Sequence, residues 1–353
     1  MRPAHGGNLT WAASLAGCLP HAVLDFSASI NPLGPPLSAL DAIHQSLAEL
    51  CHYPDPTYRR LRHALGQSHG LTGDWVLPGN GSAELLTWAS RELAALDATY
   101  LLTPAFGDYR RALTAFDAVI LCCPLSLEVE ATLPLPHPQP HCGLLLNNPH
   151  NPSGLLFSRE TLRPWLDRFD LIVIDEAFMD FLPPAQQQSL IDWVPDYPNL
   201  VILRSLTKFY SLPGLRLGYA IAHPERLQRW QAWRDPWAVN TLAVAAAEAV
   251  LTDTAFQQQT WNWLPPTRTQ LLAGLAALPS LHPFPSAVNY LLVQSDRSVI
   301  ALQKGLLLQH QILIRDCLSF AELGDRFFRV AVRTEADNQR LLAGLRSLLL
   351  QDG

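Results

Sequence analysis

The chain is poor in charge and poorest in lysine. Only 16% of its 353 residues are Asp, Glu, Lys or Arg, and Lys208 and Lys304 are the only lysines. With no Lys/Arg-rich run and a formal net charge of -6, it lacks the basic footprint that nucleic-acid binding needs. Its six cysteines are Cys18, Cys51, Cys122, Cys123, Cys142 and Cys317, and none lies in a CxxC pair. That argues against a zinc ribbon or a redox pair, and no metal site is expected. Cys122 and Cys123 are neighbours in an apolar stretch and read as buried thiols. The N-terminus has no basic segment followed by an apolar run, so a signal peptide is not expected. No uninterrupted apolar stretch approaches the roughly 20 residues that span a bilayer. The absences together point to a cytoplasmic protein with neither a nucleic-acid nor a membrane partner.

What the chain has in quantity is apolar side chain, 48% of its residues, enough for a large core. Its length suits roughly two domains of about 150 residues. Short β-rich apolar runs at Thr99–Thr103, Ala118–Cys122, Gly143–Asn147, Leu171–Asp175, Leu200–Arg204 and Leu217–Ala222 alternate with helical patterns such as Ser82–Leu96 and Ser158–Phe169. Such alternation predicts an α/β domain with a mainly parallel sheet. The proline-rich Thr132–His141 reads as a stiff loop between two strands. After a helical stretch around Ala238–Leu251 the pattern changes to helix Thr267–Ala277, strand Val288–Gln294, helix Ser298–Gln309, strands Ile312–Arg315 and Phe327–Val332, and a helix from Glu335. This is the pattern of a smaller α+β domain. The expected division is an N-terminal arm over 1–40, a large domain over 41–250, and a small domain over 251–353 joined by part of the arm.

Ligands of open α/β sheets sit beyond the carboxyl ends of strands, which is where the unusual residues fall. Lys208 follows the strand Leu200–Arg204 within Ser-Leu-Thr-Lys. It is either a surface lysine opening a loop or an amine tuned to form a Schiff base with a carbonyl cofactor. Ser205, three residues before it, and Arg216, eight after it, could both reach a phosphate. Asp175 ends the strand LIVID; it is either a helix cap or a carboxylate that holds a proton on a pyridine nitrogen. Gly79-Asn-Gly-Ser-Ala-Glu84 precedes a helical pattern, where free N–H groups bind phosphate, although glycine turns before helices are common. Asn147-Asn-Pro-His-Asn-Pro-Ser-Gly154 is by itself a turn sequence.

In order, GNGSAE, PAFGDY, HNPSG, DEAF, SLTK and PGLRLGY resemble the fold-type-I pyridoxal-phosphate enzymes of the aminotransferase class, over nearly the whole chain. The resemblance implies a large domain with a mixed, mainly parallel sheet, a small C-terminal domain, and a homodimer with its active sites at the subunit interface. It implies pyridoxal 5'-phosphate held by Lys208, with Asp175 facing the pyridine nitrogen and Asn151 bonding the ring hydroxyl. Phe106 would stack on the ring. Ser82, Ala83, Ser205 and Arg216 would hold the cofactor phosphate, and Tyr53, in HYPDP, would reach it from the neighbouring subunit. Phe178 departs from the pattern, since many relatives carry tyrosine three residues after the aspartate; one donor to the ring hydroxyl is then missing.

Two subfamilies that act on phosphorylated amines share these motifs, the histidinol-phosphate aminotransferases and the threonine-phosphate decarboxylases of cobalamin synthesis. His5-Gly-Gly-Asn8 and Leu24-Asp-Phe-Ser-Ala-Ser-Ile-Asn-Pro-Leu-Gly-Pro-Pro36 are similar to the decarboxylase pattern, with Ser29 in place of the usual asparagine. DEAFMDF, DPWAVN, Ile314-Arg-Asp-Cys317 and Phe328-Arg-Val-Ala-Val-Arg333 match it as well. The resemblance implies that Arg315 and Arg329 hold the acidic end of a small phosphorylated substrate, with His5 and Asn31 as further neighbours. Arg333 reads as a solvated surface charge. The expected reaction is decarboxylation of threonine phosphate to 1-amino-2-propanol phosphate, and amino transfer from histidinol phosphate is the alternative.

Overall fold

All six apolar runs of the central chain become strands in the computed structural model, which describes residue 3, residues 5–127, residue 133 and residues 138–351. They join a seven-stranded sheet in the order 76–80, 217–221, 200–205, 171–175, 142–147, 98–103 and 120–124. Leu217–Ile221 is antiparallel to both neighbours, and the other pairings are parallel. The seventh strand, Val76–Asn80, escapes a sequence reading because Pro78 and Gly79 weaken its pattern. At a sheet edge the missing N–H of Pro78 is tolerated. Leu171–Ile174 and Leu200–Leu203 are buried throughout, as strands covered on both faces must be.

Helices Ser82–Leu93, Gly107–Thr114 and Pro224–Trp233 pack on this sheet around Leu85, Leu101, Val173, Leu203 and Trp230, each at most 1% exposed. Burying one such side chain is worth about 1.5–3 kcal/mol. Cys122 corrects one expectation. On the edge strand Ile120–Pro124 it faces out, where Arg110 Nη2 lies 3.1 Å from its Sγ, and only Cys123 is buried. Neighbouring side chains on a strand point to opposite faces, so two adjacent thiols there cannot share one environment. The expected proline-rich loop lies largely outside the described residues.

The chain forms two compact units. The large one holds residues 33–150 and 156–259; the terminal one gathers residues 1–32, 151–155 and 260–353. In the terminal unit, strands Arg315–Asp316, Phe327–Ala331, Tyr290–Ser295 and Leu281–Pro283 form an antiparallel sheet in that order. The anticipated strand 312–315 is in fact two. Ile312–Leu313 pairs in parallel with Leu24–Asp25, and the chain changes partner at Ile314, whose carbonyl accepts Gln303 Nε2 at 2.8 Å. The N-terminal arm is therefore structured: it supplies that strand and the helix Leu9–Ala16, capped by the Asn8 side chain.

Another helix begins earlier than the sequence suggests. It runs Thr254–Ala276 straight through Pro265 and Pro266, which remove two backbone donors. Phe256, Thr260, Leu264, Thr267, Leu271 and Leu275 are all buried at three- and four-residue spacing, and this single apolar stripe outweighs the prolines.

Candidate active site

In the large unit the chemistry collects at strand ends. Ser205 closes the strand Leu200–Ser205 and caps the four-residue helix Leu206–Phe209 that carries Lys208. Lys208 Nζ donates to Thr207 Oγ1 at 3.0 Å, and that hydroxyl lies 2.7 Å from Ser205 Oγ. One strand over, Asp175 ends Leu171–Asp175. Its Oδ1 accepts the Ala177 N–H at 3.0 Å, and its Oδ2 accepts the Tyr109 hydroxyl at 2.8 Å. The pKa of Asp175 is raised, because burial outweighs the opposing pull of Tyr109, Ala177 and the positive charge of Lys208. An enclosed acid with two fixed donors suits a cationic partner. Phe106 opens the helix Gly107–Thr114 and meets the Tyr109 ring edge-on at 5.6 Å, so Phe106, Tyr109 and Asp175 form one contact chain.

A turn with free backbone N–H groups lies at the start of helix Ser82–Leu93. The first N–H groups of a helix meet no helical carbonyl, and those of Ser82 and Ala83 are among them. Glu84 tightens the turn from behind by accepting the Asn80 N–H at 2.6 Å. Gly81 sits at φ +75, and a Cβ there would come 2.7 Å from Arg216 Nη2, so the guanidinium lies directly over the turn. A Cβ on Gly218 would strike the Ser82 nitrogen at 2.4 Å, and Gly218 pairs with Ser205 across the ladder. Ser205, the Ser82–Ala83 turn and Arg216 therefore belong to one neighbourhood. Phe178 is buried and its ring stacks on Phe181 at 6.2 Å. Tyr53 stands apart, 79% exposed, with its ring 4.5 Å from the half-exposed Trp237.

The terminal unit carries the second set. Arg315 and Arg329 are direct partners in the antiparallel pair of strands, and both are at least nine-tenths buried. Arg315 Nη2 donates to Ser319 Oγ at 2.6 Å. Arg329 Nη1 donates to Asn151 Oδ1, its Nη2 to the Ser27 carbonyl at 3.4 Å, and its guanidinium lies 4.8 Å from the centre of the Tyr290 ring. Its buried Nε meets no acceptor among the described residues, and burial lowers its pKa. His5 lines a small cavity with Arg315, Asp316, Gln303 and Trp11. The glycine turn after it is pinned down: a Cβ on Gly6 would strike the Ser27 carbonyl oxygen at 2.3 Å, and the Gly7 N–H donates to Ser27 Oγ at 2.8 Å. Asn31 is buried with its Nδ2 on Thr260 Oγ1 at 2.9 Å. Arg333 is not the solvated charge expected: it donates to Asp337 Oδ2 at 3.1 Å and to the Asp25 carbonyl at 3.3 Å.

Residues 21–345 match the model of a protein family described as aminotransferase class I and II. The chain belongs to that family. It is 40% identical to the threonine-phosphate decarboxylase of Salmonella typhimurium, over 98% of this chain and 96% of that one. It is 34% identical to a histidinol-phosphate aminotransferase of Symbiobacterium thermophilum, over 93% and 91% respectively. Among solved structures, the histidinol-phosphate aminotransferase of Clostridium acetobutylicum superposes with a TM-score of 0.83 at 27% identity, covering 93% of this chain and all of that one.

The chain is a pyridoxal-phosphate enzyme of this family, and the residues present fit the cofactor. The large unit offers an amine at Lys208, an enclosed carboxylate at Asp175, and a glycine-lined cradle under Arg216 that any larger side chain would fill. Two neighbours of these groups escaped the sequence reading. Tyr109 is the last residue of PAFGDY, one helical turn past Phe106, and that spacing is the signal that it shares Phe106's face. Thr207 lies inside SLTK itself, between the two residues singled out there. No helix among the described residues is long and apolar enough to cross a membrane.

Proposed function

We propose that the chain is an L-threonine O-3-phosphate decarboxylase, a lyase that releases carbon dioxide and (R)-1-amino-2-propanol O-phosphate. The observation that carries this reading is the pair Arg315 and Arg329, side by side across two strands and largely out of solvent. Like charges directly opposite on a sheet repel. A doubly charged phosphate removes that cost and accepts both guanidinium forks through charge-assisted bonds. The unmatched Nε of Arg329 is one donor ready for it. With the phosphate there, the substrate carboxylate could not take the same arginines, and the bond from Cα to the carboxylate would be the one left free for cleavage. The 40% identity to a threonine-phosphate decarboxylase supports the same choice.

Pyridoxal phosphate, when bound, supplies a carbonyl for the substrate amine and a ring that accepts the electron pair left at Cα. Lys208 is the amine that would hold it, and once freed by the substrate amine it would return a proton to Cα. Asp175, fixed by Tyr109 and Ala177, keeps a proton on the ring nitrogen. Ser82, Ala83, Ser205 and Arg216 hold the cofactor phosphate, and Phe106 covers the ring. Asn151 gives its Oδ1 to Arg329, which leaves its Nδ2 as the donor for the ring oxygen. His5, on the pinned glycine turn, and Asn31 complete the substrate's surroundings.

The enzyme works as a homodimer, in which the exposed Tyr53 serves the neighbouring subunit's cofactor phosphate. Mixing Tyr53→Phe and Lys208→Ala chains then restores activity in hybrid dimers; no recovery despite proven exchange contradicts sharing.

The deciding assay supplies threonine phosphate and histidinol phosphate separately, each with and without 2-oxoglutarate. The expected result is carbon dioxide and aminopropanol phosphate from threonine phosphate alone. Glutamate from histidinol phosphate, with no carbon dioxide from threonine phosphate, overturns the reading in favour of an aminotransferase.

A further inference from the structure

A second polar cluster lies in the large unit on the opposite face of the strands that carry Asp175 and Ser205. Side chains alternate along a strand, so where Asp175 and Ser205 face one way, Glu176 and Arg204 face the other. Both are buried, at 0% and 1% side-chain exposure. Arg204 Nη1 donates to Asp180 Oδ1 at 2.6 Å and Nη2 to Gln187 Oε1 at 3.4 Å. Its Nε lies 3.0 Å from Glu176 Oε2, an ion contact that is not aligned as a hydrogen bond. Glu176 Oε1 accepts the Leu190 N–H at 3.1 Å. Burial raises the pKa of both Glu176 and Asp180, and Arg204 works against that rise. Burial alone would lower Arg204, but the two carboxylates outweigh it and hold its charge in place.

The next strand adds further buried polar groups beside Arg204. Tyr219 is its cross-strand partner, and the Tyr219 hydroxyl meets His69 Nε2 at 2.9 Å. Burial pushes His69 down to about 3, so the imidazole stays neutral beside the cluster.

The lysine segment depends on such anchors. Four residues of helix, Leu206–Phe209, cannot hold their own shape, because the first turn of a helix costs more than it returns. Arg204 stands just before this segment and Tyr210 just after it. The Tyr210 hydroxyl accepts Gln257 Nε2 at 3.1 Å, and its ring stacks on Phe256 at 6.1 Å. Past the end of the neighbouring strand, Glu176 and Asp180 bracket the turn that follows Asp175.

We propose that Arg204 is a positioning residue whose fork ties the segment carrying Lys208 to the turn that continues from Asp175, and so sets the spacing between amine and carboxylate. It acts through the backbone, from the face away from both groups. The inference rests on the proposed roles of Lys208 and Asp175. A buried ion cluster kept for stability alone would act on the melting temperature and leave the chemistry of the lysine untouched.

Arg204→Lys keeps the charge and loses the fork, and Asp180→Asn removes one of the two carboxylate charges on that fork while leaving Arg204 and Glu176 as a one-to-one ion pair. Three properties are read on each: pyridoxal-phosphate affinity of the apoenzyme by tryptophan fluorescence, the pH midpoint of the holoenzyme's cofactor absorbance, and kcat against KM. A misplaced reacting group predicts a kcat about tenfold lower, with KM changed less than about twofold. The absorbance midpoint moves by more than about half a pH unit, and apoenzyme affinity weakens. Where Arg204→Lys does not fold, Asp180→Asn decides. A folded variant with a lowered melting temperature but unchanged midpoint, affinity and kcat overturns the proposal. Borohydride labelling of the unmutated holoenzyme at a residue other than Lys208 fails the underlying reading, and is distinguishable because it needs no variant.

Discussion

In the large unit, Lys208, Asp175, Ser205 and the Ser82–Ala83 turn each lie at or within a few residues of a strand end, inside a contiguous motif. In the terminal unit, Arg329 meets Asn151 from 178 residues away in sequence and Ser27 from 302. The first arrangement is built from local turns laid side by side by a mixed, mainly parallel sheet, and it offers backbone N–H groups and short side chains. The second is built from two long guanidinium side chains whose surroundings come from both chain termini and one excursion, residues 151–155. A local site can be spelled by a motif, because one stretch of backbone carries both the reactive group and its support. A dispersed site shows its charges in the sequence but not their partners.

The comparison breaks most sharply at the lysines. If the large unit alone holds the cofactor covalently, Lys208→Ala loses at least about a thousandfold in rate, the scale of a lost acid–base group together with lost attachment. Borohydride reduction of the intact holoenzyme then leaves the pyridoxyl group on Lys208. Lys304 lies exposed on the helix Val299–His310 of the terminal unit, and label found there would end the division of labour.

Arg315→Lys sharpens the same contrast from the other side. One ammonium cannot reproduce a two-pronged contact. Decarboxylation therefore falls about a hundredfold, on the scale of a lost charge-assisted pair, while cofactor absorbance and content stay at the wild-type level. Loss of cofactor together with activity would show that the arginine serves both roles. The smallest effect is expected at Phe178. A tyrosine hydroxyl there would stabilise the deprotonated ring oxygen, so Phe178→Tyr moves the pH midpoint of the cofactor absorbance downward. An unchanged midpoint means that the hydroxyl does not reach the ring.

Six strands of the large unit's sheet were legible because each is a short, largely apolar run, and Val76–Asn80 was not, because Pro78 and Gly79 disguise an edge strand. The motifs pointed to Lys208, Asp175 and Arg216 but hid the hydrogen bond from Tyr109 to Asp175, since nothing in the spacing of PAFGDY and DEAF states that a helix and a strand end will meet. In the terminal unit the sequence hid more. The arm's strand Leu24–Asp25 is two residues long, and its partner Ile312–Leu313 is nearly 300 positions away, too short and too distant for periodicity to register. Residues 254–266 failed for a different reason: two prolines speak locally against a helix that a long buried stripe maintains. Arg333 misled in the same way, as an isolated charge whose partners, Asp337 and the Asp25 carbonyl, lie on two different elements.

The most direct test of the account follows the substrate carboxylate through one turnover. Holoenzyme is mixed with a stoichiometric amount of threonine phosphate labelled in its carboxyl carbon, with no keto acid present, and both the label and the cofactor absorbance are followed. The account predicts that all of the label leaves as carbon dioxide, that aminopropanol phosphate forms in equal amount, and that the absorbance returns to its starting form. Label retained in a keto acid, with the cofactor left in its amine form, would contradict it.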